Sequence, residues 1–242
     1  MICNFCLNEK PLVDAHIVPL CIVKRLLESK EPIFQFFKDP NRYSVHLPKG
    51  EYDANIICGD CDSSFSEFEE CGRDFLFDIL DDKYPLVKID DPLKSLPGYY
   101  TISKFNYLEL KLFFLSVMWK ASASRRPSCK NVNLGSFEPE VREMLKSRDA
   151  GPPEKFPVFL FRYVDKHGSQ TMINPHRQRK FGINFCSIGL PGSFAVIKTD
   201  QRPLPAELRG WEMAPDRPLL IAARDMESSP EFNVYRDILM GH

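Results

Sequence analysis

The sequence has no hydrophobic run that approaches the roughly 20 residues of a membrane-spanning helix. Its longest apolar stretch is Leu112–Leu115 with the continuation Val117–Trp119. The N-terminal segment MICNFCLNEK also lacks the basic and apolar regions of a signal peptide. We therefore expect a cytoplasmic protein without membrane partners, in which cysteine thiols stay reduced.

The chain also lacks a large net charge. Its 32 Lys and Arg residues nearly balance its 33 Asp and Glu residues, which disfavours nucleic-acid binding through bulk charge alone. The charges are unevenly distributed, because residues 1–90 hold 10 basic and 17 acidic residues, whereas residues 91–242 hold 22 and 16. The resulting net charges of −7 and +6 predict two regions with different functions.

Two C-x-x-C pairs, Cys3–Cys6 and Cys58–Cys61, are the most specific motif. Each pair can present two thiolates to one tetrahedral Zn²⁺, and the two pairs together complete a closed site of four cysteines. A disulfide framework is the alternative for an even number of cysteines, but it fits a secreted chain. Since four thiolates leave no open position for water, we expect a structural zinc that stabilises the N-terminal region. The other cysteines have no partner at a useful spacing and are predicted to be buried apolar residues: Cys21, Cys71, Cys129 and Cys186.

Prolines mark a boundary between the two regions. Pro85, Pro92 and Pro97 fall close together, and we place a domain boundary after residue 98. Beyond it, Tyr107–Ala121 predicts a helix that is apolar nearly all round, and short strands separated by turn signals follow from Phe156 onward. The sequence thus predicts an α+β protein. Residues 1–98 form a zinc-binding domain, and residues 99–242 form an α+β domain with a central helix on a mostly antiparallel sheet.

Local signals also predict the elements around the cysteine pairs. Residues 12–18 are typical of a short strand, and Pro19 is suited to the first turn of a helix. A second helix is predicted after Cys61, with Ser64 and Glu67 spaced as a capping box.

Three polar residues accompany the predicted zinc ligands. His16 lies near the end of the first predicted strand, Asn55 precedes Cys58 by three positions, and Asp62 follows Cys61. Folding around zinc is expected to bring these side chains to one surface. This combination is typical of metal-assisted phosphodiester hydrolysis, in which an imidazole takes a proton from water and a divalent cation stabilises the developing charge.

This ordered array resembles the zinc-containing branch of the HNH endonuclease family, whose pattern is C-x-x-C, then [DH]-H-[IV]-x-P, then N-[LI]-x-x-C-x-x-C-H. The match covers roughly the first 80 residues. The resemblance implies a ββα-metal, treble-clef-like fold with His16 as general base and Asn55 as the residue that holds it. It also implies that Asp62 binds a catalytic divalent ion. The structural zinc would be bound by Cys3, Cys6, Cys58 and Cys61.

The chain departs from this pattern at two metal-binding positions. Ala15 stands where the family usually has an Asp or His ligand, and Asp62 stands in place of the final His. A carboxylate is a hard ligand, so it favours Mg²⁺ or Mn²⁺ over Zn²⁺ or Ni²⁺. Asp14, Asp53 and Glu67 are alternative sources of the missing ligand, and their spacing does not distinguish them.

Two basic clusters in the positively charged region are candidates for binding nucleic-acid phosphates. The alternative for each is a solvated loop. The clusters are Arg125, Arg126 and Lys130, and Arg177, Arg179 and Lys180.

The sequence therefore predicts a metal-dependent HNH-type endonuclease that acts on DNA. By family analogy it would serve in phage defence or a mobile element, as a homodimer or with an operon-encoded protein partner. The alternative is a catalytically degraded zinc module that binds nucleic acid or protein, and Ala15 and the acidic N-terminal region favour it. A redox or zinc-storage protein would account for the cysteines but would leave His16 and Asn55 without a role.

Overall fold

A computed structural model describes residues 1–28, 34–35, 45–46, 49–89, 97–164 and 172–225. The helices are α1 Leu20–Glu28, α2 Gly59–Ser63, α3 Ser66–Leu80, α4 Tyr107–Ala123 and α5 Glu138–Ser147. The short strands of the first half are β1 Ala15–His16, β2 Phe34–Gln35, β3 Val45–His46, β4 Tyr52–Asp53 and β5 Leu86–Lys88. The later strands are β6 Gly98–Ile102, β7 Val158–Tyr163, β8 Ile173–Lys180, β9 Ile183–Leu190, β10 Ser193–Lys198 and β11 Leu219–Arg224.

Seven of these strands form one large sheet, in the order β5-β6-β11-β7-β10-β9-β8. All neighbouring strands pair antiparallel except β7 and β11, which are parallel. The sequence prediction of a mixed α and β protein with a mostly antiparallel sheet is therefore confirmed. Two smaller pairs, β1 with β4 and β2 with β3, lie outside this sheet.

Helix α4 is the central element. Every residue from Leu110 to Ala121 is buried, as the apolar pattern predicts. Helix α3 packs against it so closely that a Cβ atom at Gly72 would overlap the ring of Phe113. The same core continues from Cys3 and Phe5 through α4 to the inner face of the large sheet.

The outer face of the sheet has a smaller core of its own. Aromatic residues such as Phe185 and Phe194 pack there beneath Leu204, Leu208 and Trp211. The connection between β10 and β11 therefore covers the face that the helices leave open, and both faces of the sheet are buried.

The predicted domain division after residue 98 stays a prediction. Strand β5 lies before that boundary and pairs with β6 after it, through partners such as Leu86 and Tyr100. Pro92, one of the three prolines behind the prediction, lies outside the described residues.

The predicted capping box at Ser64 and Glu67 is wrong. Helix α3 starts at Ser66 with no side-chain cap, and the Ser64 hydroxyl donates instead to the Cys61 carbonyl oxygen at 2.7 Å. The reason is that α2 already begins at Gly59, within the second cysteine pair, and ends only two residues before α3. Cys61 and Asp62 consequently lie on a helix rather than ahead of one.

The second basic cluster lies on a strand. The solvated loop that the sequence left open as its alternative is therefore not what the structure shows. Arg177, Arg179 and Lys180 belong to β8, an edge strand of the large sheet. Strand β8 joins β9 through Phe181 and Gly182, which both have positive φ angles of 53° and 72°. Two consecutive residues with positive φ are typical of a tight type I′ hairpin turn.

No helix in the described ranges is both long enough and apolar enough to span a membrane.

Candidate functional site

The two cysteine pairs meet near the N-terminus. The Sγ atoms of Cys3, Cys6, Cys58 and Cys61 all lie within 4.8 Å of one another. Of the residues that the structure describes, no other set of three or more His, Cys, Asp or Glu ligands is grouped in this way. A four-cysteine cluster can hold a metal ion, and its donors are those of a structural zinc site.

Backbone contacts lower the pKa of one of the four thiols. The Cys58 N–H donates to Cys3 Sγ at 3.3 Å. Burial alone would raise the pKa of the Cys3 thiol, but the backbone N–H groups of Cys6, Cys58 and Phe5 lower it to about 7. Burial and bonds to neighbouring sulfurs raise the pKa of Cys61. Because metals bind the thiolate form of cysteine, a metal ion bound at this cluster would release the thiol protons.

His16 lies on β1, directly opposite Tyr52 of β4, and the two ring centroids are 5.8 Å apart. The imidazole bonds to the backbone of Lys49, whereas Nε2 is buried with no hydrogen-bond partner among the described residues. The Lys49 contact raises the pKa of His16, so the backbone group is the Lys49 carbonyl oxygen, which accepts only from a protonated ring nitrogen. Nδ1 therefore carries the proton, and Nε2 keeps a free lone pair.

The surroundings of His16 favour its neutral form. Burial is the main cause of its lowered pKa, and the positive charge of Lys120 lowers the pKa further. The Lys49 backbone and the carboxylates of Asp62 and Asp14 act in the opposite direction. A neutral imidazole with one free ring nitrogen is the form that serves as a general base.

Asp62 lies on α2, and its side chain is one-third exposed. Its Oδ1 atom is nevertheless buried and makes no hydrogen bond with a described residue. The nearest charge is the ammonium of Lys120 on α4, with 3.6 Å between Nζ and Oδ1. Lys120 Nζ also donates to Glu69 Oε1 on α3 at 2.5 Å.

Lys120 and Glu69 were missed by the sequence reasoning. Lys120 lies in a helix whose apolar pattern predicts only core, yet its side chain is 2% exposed. The available signal was a lysine within an almost wholly apolar helix, because an ammonium is buried only when it has a charged or polar partner.

Asn55 does not bond to His16 in this structure. It is exposed in the turn after β4, where its backbone N–H and its Nδ2 both donate to Asp53 Oδ1, at 2.9 and 3.3 Å. Its role in holding His16 therefore stays a prediction.

Asp53 is a structural anchor. Its other oxygen, Oδ2, accepts from Ser124 Oγ at 2.7 Å and from the Arg125 N–H at 3.1 Å. Burial alone would raise the pKa of Asp53, but these bonds and those from Asn55 outweigh it, so the pKa is lowered. All four hydrogen bonds stabilise the ionised form of Asp53, and each of its two oxygens accepts two of them.

The two predicted metals fit these residues differently. The four thiols match the donors of zinc, whereas the surroundings of Asp62 do not match those of Mg²⁺ or Mn²⁺. Ala15 offers no ligand, Asp53 is fully hydrogen-bonded, and Glu67 pairs with Arg148. The remaining candidate, Asp14, is exposed. The buried oxygen of Asp62 faces an ammonium, which repels a second cation.

The first basic cluster lies beside His16. Arg125, Arg126 and Lys130 are all exposed after the end of α4. The Arg126 Nε atom donates to the Tyr52 carbonyl oxygen at 2.8 Å, and its guanidinium lies 5.5 Å from the centre of the Tyr52 ring. Because Tyr52 is opposite His16, one residue separates this basic segment from the imidazole.

The second basic cluster lies on β8, which packs against the turn Pro127–Cys129. Arg177 and Arg179 are both exposed, and Lys180 ends the strand. Asn174, at the other end of β8, donates from Nδ2 to Glu51 Oε2 at 2.6 Å, beside Tyr52. The structure therefore brings β8 next to the segment that carries the first cluster.

No model of a known protein family, no curated protein and no solved structure matches the chain. The resemblance to HNH endonucleases therefore stays a prediction from the motif.

Proposed function

We propose that the chain is an HNH-type endonuclease that hydrolyses phosphodiester bonds of DNA, with His16 as its general base. The observation that carries the proposal is the Nε2 atom of His16, which is buried and has no hydrogen-bond partner among the described residues. The backbone of Lys49 fixes the tautomer that leaves this nitrogen free.

The chemistry requires a water molecule next to His16 Nε2. The imidazole takes a proton from that water as its oxygen attacks the phosphorus atom. The lowered pKa of His16 keeps the imidazole neutral near pH 7, so the base is ready before substrate binds. A histidine with only a packing role would be expected to have both ring nitrogens hydrogen-bonded.

The basic segment after α4 supports DNA as the substrate. The first 90 residues have a net charge of −7 and would repel a phosphate backbone by themselves. Arg125 and Arg126 come from the positively charged part of the chain and lie beside β4. Their positive charges attract nucleic-acid phosphates to a position next to the acidic residues, which would otherwise repel them.

In this proposal the cysteine cluster holds one zinc ion through Cys3, Cys6, Cys58 and Cys61. The ion stabilises the fold and takes no part in the reaction, since a closed set of four ligands leaves no position for water. The catalytic Mg²⁺ or Mn²⁺ expected from the resemblance stays a prediction. Because the residues around Asp62 do not fit such an ion, no step is assigned to it.

The proposal also keeps the biological setting expected from the sequence. It places the protein in the cytoplasm, in phage defence or a mobile element. Cleavage of both DNA strands would require a homodimer or an operon-encoded partner, because one active site cuts one strand.

Conversion of supercoiled plasmid to nicked circles tests the proposal, with Mg²⁺, with Mn²⁺ and without divalent ions. We expect nicking by the parent and a loss of about 100-fold or more in His16→Ala. His176→Ala is the matched control, because His176 lies on β8 and bonds to the Asn174 carbonyl oxygen. Equal nicking by the parent and His16→Ala would contradict the proposal, as would no nicking by the parent under all three conditions.

A second function is favoured by the ion pair between Asp62 and Lys120 together with Ala15. In this alternative the site has lost catalysis, and the chain is a zinc module that binds nucleic acid or protein. DNA binding in a gel-shift assay without nicking, unchanged in His16→Ala, would favour the module over the enzyme.

A further inference from the structure

The turn between β8 and β9 presents an aromatic side chain to solvent. Phe181, the first residue of the turn, has 65% of its surface exposed. Among the side chains that the structure describes, no other Phe, Tyr or Trp is exposed. An aromatic ring stabilises a fold when it is buried, so a ring left in water does little for the stability of the chain that carries it.

The backbone at Phe181 is also unfavourable for a bulky side chain. The φ angles of Phe181 and Gly182 are 53° and 72°, the positive values that a two-residue type I′ turn requires. Asn followed by Gly is the preferred sequence of this turn, because few other residues adopt positive φ without strain. Phe181 therefore lowers stability through both its exposure and its φ angle. Such conflicts between sequence and local structure are concentrated at functional sites.

The hairpin that carries Phe181 is positively charged. Residues 173–190 hold three Lys or Arg residues and no Asp or Glu. Arg177 and Arg179 are exposed and lie two positions apart on β8, so their side chains leave the strand on the same face. The exposed ring and two positive charges therefore belong to one element.

The charges of these two arginines are not neutralised by the described part of the chain. Arg177 Nη2 donates to the uncharged Oδ1 of Asn184 at 3.0 Å. Arg179 Nε donates to the carbonyl oxygen of Gly182 at 3.4 Å. Neither guanidinium forms an ion pair with a carboxylate of a described residue. The hairpin therefore has a surplus of positive charge that can bind an anion.

An ion pair holds the turn in place. Arg202, which follows β10, pairs with Asp200 through two contacts of 2.9 Å, one from Nε and one from Nη2. Its Nη1 atom donates to the Gly182 carbonyl oxygen in the turn. The Asp200 carboxylate also accepts from the Asn184 N–H of β9 at 3.2 Å. The tip is therefore preorganised, which reduces the entropy lost when it binds a ligand.

We propose that the β8–β9 hairpin is a DNA wedge, in which Phe181 inserts between two neighbouring bases and Arg177 and Arg179 bind phosphates beside them. The inference rests on the proposed function in taking DNA as the ligand, and it adds a contact by which the chain holds that DNA. Apolar side chains that enter a base step partly unstack it and kink the duplex. Every base has a π face, so this contact accepts any sequence.

Charge and position favour DNA over a protein surface as the partner of the tip. An exposed ring alone fits either partner, but two guanidiniums without a carboxylate opposite them fit a phosphate backbone. Strand β8 also packs against the turn Pro127–Cys129, which lies within the segment of the first basic cluster. The two basic clusters are therefore on neighbouring elements.

The experiment measures affinity for a short DNA duplex by fluorescence anisotropy, and bending of the duplex by energy transfer between dyes at its two ends. All proteins are loaded with zinc and carry His16→Ala to prevent cleavage. The variants are Phe181→Asn, which gives the preferred sequence of the turn, and Phe181→Trp, which keeps an aromatic ring. Leu7→Asn is the matched control, because Leu7 is also apolar, 57% exposed and at a positive φ of 63°, but follows Cys6 of the cysteine cluster.

We expect binding by the protein with Phe181 to raise the energy transfer, because a wedge kinks the duplex by about 20–90°. Phe181→Asn should reduce affinity by about 5-fold or more and abolish the rise in energy transfer, since one stacked base is lost. Phe181→Trp and Leu7→Asn should keep both. Thermal unfolding checks the fold, and Phe181→Asn should unfold at the same or a higher temperature because Asn adopts positive φ more readily.

Plasmid nicking by the chain with His16 intact is measured in parallel, which separates the two proposals. If Phe181→Asn abolishes bending but the parent nicks no plasmid, the wedge stands and the nuclease proposal fails. If the parent nicks plasmid and folded Phe181→Asn binds and bends the duplex as well as the protein with Phe181, the wedge is wrong and the nuclease proposal stands.

Two further results would overturn the wedge. The first is a protein with Phe181 that binds no duplex, or binds it without bending it. The second is a dimer, seen by analytical ultracentrifugation, that Phe181→Asn dissociates while bending stays unchanged. In that case the tip contacts a second copy of the chain and not DNA.

Discussion

Asp53 Oδ2 accepts a hydrogen bond from Ser124 Oγ at 2.7 Å, and this contact joins strand β4 to the end of helix α4. The two residues are 71 positions apart in the sequence. Through the neighbouring bond from the Arg125 N–H, the same carboxylate fixes the start of the first basic cluster. One buried side chain therefore connects the strand pair that carries His16 to the residues proposed to bind phosphate.

Replacing Asp53 by Ala should destabilise the protein by about 3 kcal/mol, because four donors lose a charged acceptor in a buried position. Urea unfolding measures the change. Asp74→Ala is the control, since Asp74 is largely exposed and pairs with Arg73, and it should change stability by about 0.5 kcal/mol or less. Similar losses in both variants would contradict the role of Asp53.

The same carboxylate predicts a pH dependence of stability. The pKa of Asp53 is lowered in the folded protein, so the unfolded chain binds its proton more readily. The contribution of Asp53 to stability is therefore complete above its ordinary value of 3.8 and is lost as the pH falls through the lower, folded value. Asp53→Ala should show a smaller loss of stability on acidification than the parent.

His16 should give the nuclease an acidic limb in its pH profile. Since burial and Lys120 lower its pKa, kcat/KM should reach half its plateau below pH 6.5, the ordinary value of a histidine. In Lys120→Met this midpoint should move to higher pH, because a positive charge near the imidazole is removed. An unchanged midpoint in a variant with measurable activity would contradict the coupling between the two residues.

The sequence predicted the parts of the structure that depend on local spacing. The cysteine pairs, the apolar helix α4 and the buried strands each have a pattern contained in a few turns or one strand. The start of α3 was harder to predict, because helix α2 begins within the second cysteine pair. This short helix changes where the next helix begins.

The composition of the site was harder to predict for a different reason. His16, Asp62 and Lys120 come from three elements, and no motif spans the distance from β1 to α4. Lys120 fits the pattern of a buried helix in every respect except its charge. The family resemblance implies that Asn55 holds His16. In the structure Asn55 bonds instead to Asp53, which the sequence suggested only as a metal ligand.

Removal of zinc should unfold the N-terminal region. We expect one zinc ion per chain and loss of that ion in Cys58→Ser, because three thiolates bind zinc more weakly than four. Cys21→Ser is the control, since Cys21 is half-buried on α1 and outside the cluster. Metal analysis and thermal unfolding measure both effects. Zinc loss in Cys21→Ser, or full retention in Cys58→Ser, would contradict the assignment.

Arg126 should contribute to DNA affinity through one phosphate contact. In Arg126→Ala the slope of log affinity against log salt concentration should fall by about 1, with little dependence on DNA sequence. Fluorescence anisotropy with a short duplex measures the slope. Arg209→Ala is the matched control, because Arg209 is exposed and bonds to the Leu204 carbonyl oxygen on the outer side of the sheet. Equal slopes in the parent and Arg126→Ala would contradict the assignment of this segment to DNA.

Lys111 should make stability rise with pH in the alkaline range. Burial lowers its pKa from 10.5 to about 8 in the folded protein, so between these values the unfolded chain binds one more proton than the folded one. Stability therefore increases as the pH rises from about 8 towards 10.5, as the linkage between proton binding and folding requires. Lys111→Met should lack this increase and be at least as stable as the parent at pH 7, since it buries no ammonium. Urea unfolding at several pH values measures both effects. If the stability of the parent changes over this pH range in the same way as that of Lys111→Met, the prediction is contradicted.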